Sequence, residues 1–128
     1  MGHGFKGDTG HYHSFGENVD ALKSSYQYNK STGYFGSVGK SSNPKVRNIS
    51  SDDPIASAED FYSKGAYGGI EKRLGNGKGY ITTMRDGSVL TYRTVSSSDG
   101  SPAVDIHISS KNTENGGVKT QKIHFIKK

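Results

Sequence analysis

The alternation of apolar and polar residues over the last fifty positions constrains this chain more than any other feature. Successive side chains of a β-strand point to opposite faces, so residues two apart share a face. Segments with this period cover residues 89–95, 103–108 and 121–126. Each is predicted to bury its aliphatic and aromatic side chains and to direct its polar ones outward. The predicted outward positions are Thr91, Arg93, Asp105, His107, Lys122 and His124.

The period of two begins at Gly79 and defines four predicted strands. Asp86-Gly87 separates the first two, and this dipeptide is typical of a tight hairpin because both central positions can adopt positive φ. Turn-forming residues separate the other strands, at 96–102 and 112–117. An antiparallel sheet made of sequential strands is the expected result.

Two segments upstream of the strands carry helical periodicity. The clearer helix begins at Asp53-Pro54, an N-cap followed by proline at the first helical position, where a missing amide donor costs nothing. Gly65 marks its end. A shorter helix is predicted after Asn18. The apolar stripes are Ile55, Ala58, Phe61 and Tyr62 in the first helix, and Val19, Leu22 and Tyr26 in the second.

These patterns predict an α+β fold in a single domain. Residues 1–46 are rich in Gly, Ser, Asn and Tyr and poor in aliphatics, so they are predicted to be a variable, loosely ordered N-terminal segment. Residues 47–128 are predicted to form the folded domain. The aromatic residues within 26–35 have two interpretations: they stack on nucleic-acid bases, or they pin a glycine-rich segment onto a core.

Composition narrows the class of partner. The formal net charge is +5 and the pI is about 9.4, which favours nucleic acid, an anionic membrane surface or an acidic protein over a merely soluble basic domain. Cysteine is absent, which excludes disulfides, thiolate catalysis and cysteine-ligated zinc. No stretch approaches the ~20 apolar residues of a membrane span, and the first residues lack the apolar core of a signal peptide. We therefore expect no membrane partner, and export only through something outside this chain.

The predicted outward face carries the strongest candidate chemistry. Cleavage of RNA without a metal needs a base for the 2′-hydroxyl proton and an acid for the leaving 5′-oxygen. His107 and His124 are the candidates, since the pKa of imidazole, about 6.5, lies near neutrality. Arg93 and Lys122 would hold the phosphate and offset its developing charge. The alternative for either histidine is an ordinary surface residue.

Three further residues are predicted to bind substrate. Lys78 lies in a glycine-rich loop, LGNGKG, whose backbone amides suit a phosphate, although the spacing is not that of a Walker loop and a simple turn is the alternative. Thr91 shares the outward face with Arg93. Ser97 lies in a serine cluster at the predicted sheet edge, where turn formation explains most of the composition.

A metal site is not expected. His3 and the run His11-Tyr12-His13 supply imidazoles, but a metal needs three or four ligands on a fixed frame, which this stretch does not offer. No cofactor is expected either.

Several segments of residues 47–128 carry a family resemblance. RNISSDDP, AYGG, LGNGKG, MRDGSVLTYRTVSSSDGSPAVDIHI and GVKTQKIHFIKK resemble the C-terminal toxin domains of bacterial polymorphic secreted toxins of the LXG, Rhs and contact-dependent inhibition types. Many such modules are similar to the barnase, EndoU, colicin D and RelE group of metal-independent ribonucleases. The resemblance implies one or two N-terminal helices packed on a four- to five-stranded antiparallel sheet.

The resemblance also implies a function. The domain would be secreted by its producer within a larger toxin, act as a monomer in the cytoplasm of a competing bacterium, and be blocked in the producer by a cognate immunity protein. Its substrate would be RNA, with transfer RNA the preferred class. The resemblance extends to Lys78 in NGKG, Arg93 in TYR, and Lys122 and His124 in KIHF, whereas His107 rests on strand alternation alone.

One departure from that group is the lack of an obvious glutamate partnered to a histidine on the sheet, which leaves the general base open between a histidine and a lysine. Two other functions stay open. One is a deoxyribonuclease toxin, and the other is a non-catalytic basic module that binds nucleic acid without cutting it.

Overall fold

The computed structural model describes residues 13–39, 43–75, 77–95, 100–108 and 116–128. It has an α+β fold in which a two-stranded and a seven-stranded sheet accompany two α-helices. The helices are α1 (Val19–Ser25) and α2 (Pro54–Gly65), with a short 3-10 helix at Phe15–Glu17. The strands are β1 (Tyr28–Asn29), β2 (Tyr34–Phe35), β3 (Ser37–Val38), β4 (Val46–Ser51), β5 (Ile70–Arg73), β6 (Gly79–Thr83), β7 (Val89–Arg93), β8 (Ala103–His107) and β9 (Gln121–Lys127).

Helix α2 begins and ends as its sequence predicts. The Asp53 carboxylate accepts a hydrogen bond from the Ala56 amide at 3.2 Å, and Pro54 occupies the first helical position. Ala58, Phe61 and Tyr62 are buried against the sheet. Ile55 is 51% exposed, so the predicted stripe is wrong at that position. None of the described helices is long and apolar enough to cross a membrane.

Helix α1 also follows the predicted Asn18, but the side chain of that residue has another role. Its amide nitrogen donates to the carbonyls of Gly65 and Tyr67, at 2.8 and 2.7 Å, instead of capping α1. Asn18 therefore ties the start of α1 to the end of α2. Val19 and Leu22 of α1 are buried, as the helical spacing predicts.

The large sheet is mixed and has the strand order β3-β4-β9-β8-β7-β6-β5. The expected four- to five-stranded antiparallel sheet is therefore wrong in size and in strand direction. β4 lies parallel to β9, with Val46 beside Lys122 and Ser51 beside Lys127. No local pattern predicts a pairing between segments so distant in sequence, and β3 and β5 are too short or too polar to alternate clearly.

The β6–β7 hairpin has a three-residue loop. The Met84 amide donates to the Ser88 carbonyl at 2.8 Å, which closes the loop around Arg85, Asp86 and Gly87. The predicted tight hairpin at Asp86-Gly87 is confirmed, and within the dipeptide only Gly87 has positive φ, at 88°. A turn followed by one left-handed glycine is the common three-residue hairpin.

Residues 13–39 pack into the same core as the rest of the chain. Phe15, Leu22 and Phe35 are fully buried. The Gln121 side chain accepts from the Phe35 amide at 2.8 Å and donates to the Gly33 carbonyl at 3.0 Å. The described part of the N-terminal segment thus differs from the loosely ordered extension we expected, because Phe15 and Phe35 anchor it together with Leu22. Residues 1–12 and 40–42 lie outside the described part.

The two faces of the large sheet differ sharply. Helix α2 contacts β4, β7, β8 and β9, and alternate residues of these strands form the core beneath it. We call the opposite side, where the described residues include no helix, the helix-free face. The buried strand residues under α2 include Ile49, Leu90, Tyr92, Val104, Ile106, Ile123 and Phe125.

Candidate functional site

The helix-free face gathers polar residues from three adjacent strands. Asp105 on β8 lies directly opposite Lys122 on β9 and Thr91 on β7. One pair further along, Ala103 lies between Arg93 and His124. The register therefore agrees with the alternation argument that these polar side chains share a face. Their catalytic roles stay predictions.

Asp105 lies at the centre of this group. Its carboxylate is 3.4 Å from the Arg93 guanidinium, and both side chains are about one-third exposed or slightly more, at 34% and 41%. Burial raises the pKa of Asp105, while the nearby Lys122, Arg93 and His124 lower it in part. The result is a partly desolvated carboxyl group beside cationic side chains, with a greater affinity for a proton than a solvated aspartate has.

His124 lies on the predicted face but is nearly sealed, with 4% of its surface exposed. Its Nδ1 is 2.9 Å from the Ser101 hydroxyl. Asn48 on β4 and Ala103 on β8 flank it. β4 extends the sheet past β9, so that His124 lies between two neighbouring strands instead of at a sheet edge.

His107 shares the face but not the site. It lies opposite Val89, four residues along β8 from Ala103, the residue that faces His124. At a rise of about 3.4 Å per residue, the two histidines are separated by about 14 Å along the strand. A general acid and a general base must each reach the same phosphodiester. The structure does not place His107 and His124 for that joint role.

Two of the three residues predicted to bind substrate lie near the Arg93 end of the face. Thr91 is buried opposite Asp105. Lys78 is exposed, and its carbonyl accepts from the Thr94 amide at 3.0 Å, next to Arg93. Ser97 lies outside the described residues.

The residues described include no group of three or more His, Asp or Glu side chains that could hold a metal ion. Of the N-terminal histidines, His3 and His11 lie outside that part of the chain. The ring of His13 has a structural environment: its Nδ1 is 3.1 Å from the Asn18 side-chain oxygen, and it packs edge-on against Tyr67. The structure therefore gives His13 a place in the packing around α1.

Sequence reasoning missed two members of the group. Asp105 was predicted to point outward but was not given a role in the site. Its position between Arg93 and Lys122 depends on the strand register, which the sequence does not supply. Ser101 stands in a turn-rich connection, where serine has an ordinary conformational explanation. No signal in the sequence predicted its contact with His124.

Comparisons with family models, with curated proteins and with solved structures each found no match. The toxin resemblance and everything it implies therefore stay proposals. Support for a function must come from the arrangement of side chains on the helix-free face.

Proposed function

We propose that this chain is a metal-independent endoribonuclease whose site consists of Arg93, Asp105, Lys122 and His124. The observation that carries the proposal is the position of Asp105. This carboxyl group lies diagonally between Arg93 and His124 and directly opposite Lys122. A carboxylate, an imidazole and two cations are the groups that phosphodiester cleavage by the neighbouring 2′-hydroxyl requires.

In this proposal Asp105 is the general base. It takes the proton of the 2′-hydroxyl, and the 2′-oxygen forms a bond to phosphorus while the bond from phosphorus to the 5′-oxygen breaks. His124 donates a proton to that leaving oxygen. The products are a 2′,3′-cyclic phosphate and a free 5′-hydroxyl. The raised pKa of Asp105 suits this role, because a base works best when its pKa approaches the working pH.

Arg93 and Lys122 would bind the phosphate. The Arg93–Asp105 contact of 3.4 Å is long for a charge-assisted hydrogen bond and partly exposed, so the guanidinium can turn to an incoming phosphate at little cost. That exchange would also release the carboxylate for the 2′-hydroxyl. Lys122 would supply a second positive charge on the next strand.

The Ser101 hydroxyl would orient the catalytic imidazole. A hydrogen bond at Nδ1 fixes the orientation of the imidazole ring. His107 has no part in this mechanism, so the general base is the carboxylate rather than a second histidine.

The biological role we propose is that of an effector in competition between bacteria, secreted within a larger toxin and neutralised by an immunity protein. This part rests on the resemblance of residues 47–128 to polymorphic toxin domains. Transfer RNA is the proposed substrate class on the same basis.

A pair of matched histidine variants tests the proposal. Purified protein is incubated in EDTA with total RNA and separately with plasmid DNA, and the products are resolved on gels. We expect RNA cleavage by the wild type, with loss of about 10²- to 10⁴-fold in rate for His124→Ala and for Asp105→Asn. His107→Ala should retain wild-type activity.

The outcomes separate the alternatives. Equal loss in His107→Ala and His124→Ala would restore the two-histidine mechanism and remove Asp105 as base. DNA cleavage that stops on chelation would favour the deoxyribonuclease. Binding of RNA with no change in its length would favour the non-catalytic module.

A further inference from the structure

Positive charge is concentrated in two segments of the chain that contain no acidic residue. Residues 21–51 contain five Lys and Arg residues, and residues 115–128 contain four Lys residues. The rest of the chain holds eight cations and all 12 acidic residues. The net charge of +5 is therefore an average over a strongly basic part and a mildly acidic remainder.

The fold brings the two basic segments together. β4 pairs along its length with β9, and the Lys122 amide donates to the Lys45 carbonyl at 2.8 Å. The Lys119 amide donates to the Gly33 carbonyl at 3.0 Å, which joins the β1–β2 hairpin to the chain entering β9. We define the basic edge as the exposed lysines of this region: Lys30, Lys45 and Lys119.

Tyrosine rings order the cations of this region. The Arg47 guanidinium lies 4.9 Å from the centre of the Tyr34 ring, and the Lys119 ammonium lies 5.8 Å from the same ring. Lys23 lies 4.9 Å from the Tyr28 ring. Such contacts are worth about 0.5–1 kcal/mol at exposed sites and hold a flexible side chain in place without neutralising it.

Arg47 is a buried cation of this region, and no carboxylate of the described residues forms an ion pair with it. It is 7% exposed and donates to the carbonyls of Phe35, Pro44 and Gly36, each at 3.0 Å. Backbone carbonyls satisfy its donors but leave its full positive charge. In the described part of the chain, no lysine of the basic edge forms an ion pair with a carboxylate. A ligand that brings negative charge is therefore favoured here.

We propose that the basic edge binds the phosphate backbone of an extended RNA strand beyond the cleavage site. This inference rests on the proposed function for the choice of RNA as the polyanion. Lys119 and Lys122 are three residues apart, a span of at most about 10 Å. Lys45 and Lys119 precede the parallel strands β4 and β9 at the same end of the sheet, so a strand whose scissile phosphate lies at Arg93 and Lys122 can pass Lys45 and turn round that end to Lys119 and the hairpin. The enzyme then prefers long, single-stranded regions of RNA to short oligonucleotides.

The test measures binding apart from cleavage. A Lys30→Gln/Lys45→Gln/Lys119→Gln variant is prepared in a His124→Ala background, and its affinity for a fluorescein-labelled single-stranded RNA of about 20 nucleotides is measured by anisotropy over a range of salt concentrations. Each phosphate contact with a single strand contributes about 0.7 to the slope of log affinity against log salt. We expect the slope to fall by about two and the affinity at low salt to fall at least about tenfold.

The matched control removes the same number of charges elsewhere. Lys64→Gln/Arg73→Gln/Arg85→Gln changes exposed or half-exposed cations of the mildly acidic remainder of the chain and should keep the wild-type slope. Equal salt slopes and affinities for the two triple variants would overturn the proposal and assign the basic edge to another acidic partner. Circular dichroism checks that both variants fold. Lys119→Gln alone should give a proportionate loss of affinity for RNA.

A second assay separates this inference from the proposed function. In the active protein, the basic-edge variant should cleave a dinucleotide at the wild-type rate but show a raised KM for long RNA. If the wild type cleaves no RNA while the binding difference persists, the proposed ribonuclease activity fails and the RNA-binding edge stands. If the basic-edge variant changes the cleavage of the dinucleotide and of long RNA equally, the basic edge does not extend the cleavage site.

Discussion

One face of strands β7, β8 and β9 forms the core, and the opposite face carries the candidate site. Under α2, alternate residues such as Tyr92, Val104 and Phe125 are at most 1% exposed and form the core. On the helix-free face, the interleaved residues include Arg93, Asp105 and Lys122, with His124 beside them. Because successive residues face opposite ways, the rigidity of the core fixes the spacing of the polar groups. A site on strands is positioned better than one on loops.

This contrast makes neighbouring residues natural controls for each other. A substitution under α2 should change stability, whereas one on the helix-free face should change activity and leave the fold intact.

The largest expected effect on stability is that of Phe125→Ala. Phe125 is fully buried and packs against Tyr26 and Phe61, with ring centres 6.3 and 5.7 Å away. Truncation of a buried phenylalanine costs about 3–5 kcal/mol in the free energy of unfolding. Lys122→Ala, on the other face of the same strand, should cost less than about 0.5 kcal/mol. Urea denaturation of both variants measures the difference, and similar costs would break the comparison.

Arg93→Ala should show the converse pattern. Loss of a phosphate-stabilising donor typically lowers the rate about 10²- to 10³-fold, or about 2.7–4 kcal/mol in the barrier. The urea midpoint should stay near that of the wild type, because the ion pair with Asp105 is partly exposed. Arg85→Ala, which removes an exposed pair with Glu17, is the control and should leave RNA cleavage unchanged. A large loss of stability in Arg93→Ala would place Arg93 in the scaffold.

Two buried tyrosines between α2 and the sheet, Tyr62 on α2 and Tyr92 on β7, should respond in opposite directions to loss of the hydroxyl. Tyr62 hydrogen-bonds to the buried Thr82, so Tyr62→Phe should cost about 1–3 kcal/mol by leaving that hydroxyl unpaired. The Tyr92 hydroxyl is buried with no hydrogen-bond partner among the described residues, and burial raises the pKa of Tyr92 to about 12. Tyr92→Phe should therefore be neutral or stabilise by about 1 kcal/mol. Thermal unfolding compares the two; a destabilised Tyr92→Phe would indicate a partner outside the described residues.

Local patterns predicted the elements that depend on local chemistry. The Asp53 cap, the burial of Ala58, Phe61 and Tyr62, and the two-residue period of β7 to β9 each follow from neighbouring residues. The mixed sheet does not, because β4 reaches β9 across most of the chain. The same is true of the packing of residues 13–39, where the contacts of Phe35 with Phe61 and Gln121 join residues distant in sequence.

The candidate site also depends on contacts between strands that local patterns do not predict. Alternation identified the face but carried no information on register, so His107 and His124 were paired although about 14 Å separates them along the strand. Register also decides that Asp105, rather than either histidine, lies beside Lys122. Burial of His124 follows from the unpredicted β4 on its outer side.

The smallest expected effect concerns the pH dependence of stability and tests whether Asp105 is held for function at a cost to the fold. Burial raises the pKa of Asp105 in the folded protein, so the folded state holds this proton more tightly than the unfolded chain. The stabilisation from the protonated form is present below the unfolded pKa, about 3.9, and is lost as the pH rises through the folded value. Asp105→Asn cannot ionise, so its free energy of unfolding relative to the wild type should increase as the pH rises above about 4. Urea titrations from acid to neutral pH measure that difference. A difference that stays constant, or in which the variant becomes less stable than the wild type as the pH rises, would mean that Arg93 and Lys122 fully compensate the buried charge. Asp105 would then be a structural ion-pair partner instead of a base kept at the expense of stability.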